Sequence, residues 1–136
     1  MPAAKTIIAL DVGERRIGVA TVDTSIRIAI PLTTIEVQGD EVKQIAEIVV
    51  TENAELIVVG YPRNQSGEAT AQTEYVKTFA AQLTDIAPIV YQDESLTSVM
   101  AEEQLKASRQ PYTKGDIDAR AAAIILQDYM EIHYAS

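Results

Sequence analysis

The chain has 136 residues, no cysteine and a formal net charge of −9 at pH 7. That length suits one domain with its own core, and the missing thiols exclude disulfides, zinc–thiolate centres and cysteine nucleophiles, in keeping with a reducing cytosol. The acidity argues against broad, sequence-blind affinity for nucleic acid, which comes from neutralising phosphates with Lys and Arg; it leaves room for acids that bind cations and for a local basic patch.

Lys5 to Leu10 is apolar on both faces and rich in β-branched side chains, the pattern of a central strand, and it ends on Asp11. A carboxylate at the tip of a buried strand is costly to desolvate. It persists there only by capping a turn, pairing with a cation or binding a metal. Gly13 permits a sharp turn beside it. Beyond the polar turn 13–16, the run Ile17 to Val22 reads as the second strand of a hairpin. Arg27 to Val37, interrupted at Pro31, supplies a third strand on an edge or at a bulge.

From Asp40 the period changes: Val42, Ile45, Ala46 and Val49 share one helical face. Glu55 to Gly60 is a second buried strand and opens into the polar loop 61–67. A helix carrying Tyr75, Val76, Phe79, Ala80 and Leu83 ends before Pro88, and Ile89-Val90-Tyr91 makes a last strand running into Asp93-Glu94. Thr97 suits the N-cap of a helix reaching about Lys106. Ala107 to Lys114 reads as a mobile polar loop, and a final helix runs from near Gly115 to about Tyr134. Crossovers through helices demand parallel pairing and hairpins antiparallel, so the order predicts an α/β fold: a five-stranded mixed sheet with helices on both faces. No basic leader precedes an apolar segment, and no apolar run nears the roughly 20 residues of a membrane span, so a soluble cytoplasmic protein is expected.

Asp93-Glu94 repeats the placement of Asp11, at the strand ends where ligands gather in α/β sheets. In the last helix, at 100° per residue, Ile117, Ala121, Ala122, Ile124, Ile125, Tyr129 and Ile132 form an apolar face with Asp118 near its middle. Asp116 falls opposite, with Arg120 and Gln127, and is explained as a first-turn acid favoured by the helix dipole. Asp11, Glu94 and Asp118 can therefore point into one cleft, where they would repel one another unless a hard cation held them. All-oxygen ligands select Mg²⁺ or Mn²⁺ over zinc, and two such ions about 3.5–4 Å apart suit phosphodiester hydrolysis. Asp11, on the central strand, is the natural bridging ligand.

Basic residues flank these acids: Arg15 and Arg16, Arg63 with Asn64, and Lys106, Arg109 and Lys114, a possible phosphate-contacting rim. The single His133 reads as a solvated surface residue, and the segment 60–67 is no P-loop because it lacks Gly-Lys-Ser/Thr.

Four ordered blocks carry a family resemblance: 10–20 (Leu10-Asp11-Val12-Gly13 through Ala20), Gly60-Tyr61-Pro62-Arg63-Asn64 with Gly67, Thr70 and Gln72, Asp93 to Ser98, and Lys114 to Asp118 with 121–127. Together they resemble the YqgF family, also called RuvX, whose members are described as Holliday junction resolvases and as pre-16S rRNA nucleases. The resemblance implies a single ribonuclease H-like domain and a divalent metal. It also implies a role in trimming the 5′ end of the small-subunit rRNA precursor, with Asp11, Glu94 and Asp118 as catalytic carboxylates. Two features depart from many members: Ser95 stands where a basic residue is common, and 108–113 is poor in Lys and Arg. Both bear on nucleic-acid binding rather than on the metal site.

The first expectation is thus a metal-dependent endonuclease acting on rRNA precursor, alone or within ribosomal particles. The others are a resolvase of branched DNA and a catalytically weak RNA- or protein-binding module in ribosome maturation or transcription. An actin-like ATPase would need a second lobe, for which the chain has no room.

Overall fold

Strand β1 (Thr6–Val12) leads into β2 (Arg16–Asp23) and β3 (Ile30–Glu36). These are followed by α1 (Glu41–Glu52), β4 (Ala54–Pro62), α2 (Ala71–Ala81), β5 (Ile89–Glu94), α3 (Thr97–Ser108) and α4 (Lys114–His133), the predicted order. The structure is a computed structural model describing residues 5–62, 70–94 and 97–134. Arg63, Asn64, Gly67 and Ser95 lie outside the described residues.

All five strands form one sheet in the order β3-β2-β1-β4-β5. The two hairpins pair antiparallel, and β1–β4 and β4–β5 pair parallel, as crossovers through α1 and α2 require. Central β1 is sealed on both faces: Ile7, Ile8, Ala9 and Leu10 have no exposed surface. Ile8, Leu10 and Val12 pack with Ile45, Val49, Val76 and Phe79 beneath α1 and α2, while Ile7 and Ala9 meet Ala122, Ile125 and Leu126 of α4. Alternation then turns Asp11 towards the α4 face.

Several boundaries differ from expectation for local reasons. The expected strand start at Arg27 is not met: β2 closes in a turn over 24–26, where the Ile26 and Arg27 N–H groups donate to the Asp23 carbonyl, and Arg27 has φ 66°, so β3 begins only at Ile30. It is an edge strand, and the ladder shifts register between Val19 and Ala20, next to Pro31. Helix α3 absorbs Ala107 and Ser108, leaving a connection of 109–113 with Arg109 left-handed at φ 60°. Thr97 is the first helical residue of α3, not the residue before it.

Helix α4 is the most enclosed of the helices. Ala119 and every residue from Ala121 to Leu126 are buried because the sheet covers one flank and Ala101 of α3 packs on another, against Ala121 and Ile124. The apolar face is therefore wider than one stripe, but Ile132 is 64% exposed. In the same turn Met130 is buried and Tyr134 beyond it packs on the core, so the exposure is particular to Ile132. Among the described residues no helix is long and apolar enough to cross a membrane.

Candidate functional site

Strands β1, β4 and β5 run parallel, so Asp11, Pro62 and Glu94 finish at one edge of the sheet, where antiparallel β2 begins with Arg16. Both Asp93 and Glu94 are the last residues of β5 rather than loop residues. Glu94 shares a face with Gly60, two positions behind its register partner Pro62, and that face meets Ile125 of α4. A Cβ at Gly60 would stand 2.4 Å from Glu94 Oε2 and 2.7 Å from Ile125 Cδ1, so the missing side chain leaves the space the carboxylate fills.

Gly18 does the corresponding work for Asp118. It is the cross-strand partner of Asp11, and a Cβ there would lie 1.9 Å from the Asp118 carbonyl oxygen. Only glycine lets the α4 backbone settle this close to β2, and Asp118 is delivered beside Asp11 as a result. The start of α4 is fixed independently. Thr113 and Asp116 form a capping box, the Thr113 N–H donating to Asp116 Oδ2 at 2.8 Å, and Thr34 Oγ1 donates to the Gly115 carbonyl at 2.6 Å. Asp116 thus faces the helix end, as its position opposite the apolar face predicts. At the hairpin turn the Gly13 N–H donates to the Arg16 carbonyl at 3.0 Å.

The three acids are brought together but not equally. Asp11 and Glu94 share a side-chain hydrogen bond. Burial, the charges of Glu94 and Asp118 and that hydrogen bond hold the Asp11 carboxyl well above the ordinary 3.8. Burial raises Glu94 as well, while its bond to Asp11 pulls the other way. Both directions follow from two carboxyls held against one another with little water between them. Glu94 Oε2 is nevertheless buried without a hydrogen-bond partner. Asp118 is turned elsewhere: Arg16 Nε donates to its Oδ2 at 2.6 Å, with the two side chains 26% and 22% exposed. In this arrangement no group of three His, Cys, Asp or Glu side chains among the described residues is gathered tightly enough to hold one ion.

Of the expected phosphate rim, Arg16 is therefore inside the acid cluster, whereas Arg15 is exposed on the hairpin turn and Lys106, Arg109 and Lys114 are exposed around the α3–α4 connection. His133 is exposed and stacks on Tyr129, with ring centroids 4.3 Å apart. Sequence reasoning missed the spacer glycines and the pairing of Arg16. A glycine inside an apolar strand is a signal of close backbone approach, so Gly18 was findable; what it approaches was not.

Residues 5–132 match the family model RuvX, described as Holliday junction resolvase. A Chloroflexus aurantiacus protein named "Putative pre-16S rRNA nuclease" is 45% identical over 92% of this chain and 86% of its own length. One of the same name from Synechocystis sp. is 42% identical over 90% and 85%. Among solved structures, Thermus thermophilus RuvC in complex with Holliday junction substrate superposes with a TM-score of 0.58 at 14% identity, covering 96% of each chain. Fowlpox virus resolvase with its Holliday junction DNA gives 0.55 at 13%, covering 93% of this chain and 97% of that one. The likeness to both establishes a ribonuclease H-like fold.

Proposed function

The chain belongs to the RuvX family, and from that premise we propose that it is a divalent-metal-dependent endonuclease, centred on Asp11, Glu94 and Asp118, that trims the 5′ end of pre-16S rRNA in the cytoplasm. The observation that carries the reading is the buried, unpartnered Glu94 Oε2 beside the Asp11 carboxyl, whose ionisation the neighbouring Glu94 and Asp118 charges oppose. Two half-buried acids in contact are relieved by a proton or by a cation, and an oxygen-only donor set suits Mg²⁺ or Mn²⁺. Asp11 and Glu94 would hold the ion, with Asp118 as the third ligand. When bound, such an ion supplies charge stabilisation to the phosphodiester and a more acidic water.

The chain's own residues supply the rest. Gly60 and Gly18 set the carboxylates in place, and the sealed strand and α4 keep bulk water from their buried side. Arg15, Arg63, Asn64, Arg109 and Lys114 would contact phosphates and orient the strand, whether it arrives as naked precursor or within a ribosomal particle. Purified protein with Mn²⁺ or Mg²⁺ should cut a precursor rRNA fragment, and Asp11→Asn should abolish cutting; cleavage that survives the substitution would end the assignment.

A second reading, cleavage of branched DNA, draws on the family's description as a resolvase. Both substrates present the same phosphodiester, so side-by-side assays on a four-way junction and on precursor rRNA decide between them. A third, a catalytically weak binding module, draws on the net charge of −9 and on Asp118 being occupied by Arg16. Tight metal-independent binding without cleavage under any metal would favour it.

A further inference from the structure

Arg16 has no ordinary place in a rim of phosphate contacts. It starts β2 at the catalytic edge, opposite Glu36 in the β3 register, and it reaches across to α4, bonding a residue 102 positions away. The acids facing its guanidinium are Asp118 from α4 and Glu36 from β3, and Asp11 lies next to Asp118 on β1. The guanidinium is engaged with the acid that a metal would need as its third ligand.

We propose that Arg16 is a positioning residue that occupies Asp118 in the metal-free protein, competes with the divalent cation for it, and on displacement is freed towards the substrate phosphate. This rests on the metal reading above. The competition follows from orientation and charge. Asp118 Oδ2 already accepts a short charge-assisted bond that holds the carboxylate towards Arg16. Swinging it towards Asp11 and Glu94 to meet a cation breaks that bond, and the cation and the guanidinium compete for the same negative charge. The same contact explains why three acids in one cluster do not close on a single point. A freed guanidinium then matches a phosphate in geometry and charge.

The test is calorimetric titration of Mn²⁺ into protein stripped of metal, comparing wild type with Arg16→Gln, Asp118→Asn and the double variant, each checked for a cooperative thermal transition. Arg16→Gln should bind Mn²⁺ about tenfold more tightly, the equivalent of one such bond released, and the gain should vanish in the Asp118→Asn background. Equal or weaker binding by Arg16→Gln would overturn the inference. So would a gain that persists without Asp118, because it would report general electrostatics rather than competition. Should Arg16→Gln unfold, Arg16→Lys carries the same test with a smaller gain, since the ammonium lacks the guanidinium fork. At saturating Mn²⁺ the Arg16→Gln variant should raise KM for the nucleic acid by about tenfold, and an unchanged KM would overturn the second half of the proposal. Mn²⁺ binding that Asp11→Asn leaves intact would instead overturn the metal reading itself.

Discussion

Gly18 and Asp118 touch through their backbones: a side chain on Gly18 would begin 1.9 Å from the Asp118 carbonyl oxygen and 2.8 Å from the Ala119 nitrogen. Nothing flexible stands between them, so Gly18→Ala must push α4 off β2 along a buried contact. We expect a loss of about 3 kcal/mol, read from the urea midpoint, and with it the separation of Asp118 from Asp11. A midpoint within experimental error of wild type would show that the helix does not sit where the structure puts it.

At Gly60 the obstruction is different in kind, because the nearest atom is the end of the Glu94 side chain, which can swing away. Gly60→Ala should therefore cost only about 1 kcal/mol while lowering kcat by about 100-fold, through misplacement of one carboxylate. Equal losses of stability and activity from unfolding alone would argue against a positional role.

Asp11 makes the folded state sensitive to pH in a direction opposite to that of a paired acid. Its carboxyl titrates well above 3.8 when folded, so the wild type is most favoured, relative to its unfolded chain, below the ordinary carboxyl range. That advantage is lost as pH rises through the raised value. Asp11→Asn, which never ionises, should match wild type near pH 3 and be more stable than wild type at pH 7 in metal-free buffer. Denaturant unfolding across pH measures the difference; a variant less stable at pH 7 would reverse the sign and refute the burial argument.

Two acids two residues apart should part company on substitution. Asp116 serves the capping box, so Asp116→Asn should retain activity and lose at most about 1 kcal/mol. Asp118→Asn should remove activity by about 100-fold or more. Cleavage assays on both variants check it, and comparable activity in the two would mean that the wrong acid has been placed in the centre.

Much of this was legible beforehand because burial leaves a periodic trace. Continuous apolar runs marked β1 and β4, the shift to helical period marked α1 and α4, and Asp118 was separable from Asp116 by its angle on the helix alone. Ile132 misled because periodicity says which side a residue faces, not whether a neighbouring element covers it there. The Arg16–Asp118 pair was out of reach, since a separation of 102 positions places it by tertiary packing and no local pattern records it. Gly18 and Gly60 are intermediate cases: their identity hinted at close approach, but the groups approached belong to α4 and β5.

The central claim, that Asp11, Glu94 and Asp118 share a cation, is tested most directly by a crystal soaked in Mn²⁺ and measured at the manganese edge. The account predicts an anomalous peak in contact with Asp11 and Glu94, with Asp118 turned towards it and Arg16 released. A crystal with no peak at the ends of β1 and β5, or with manganese bound only away from these side chains, would contradict it.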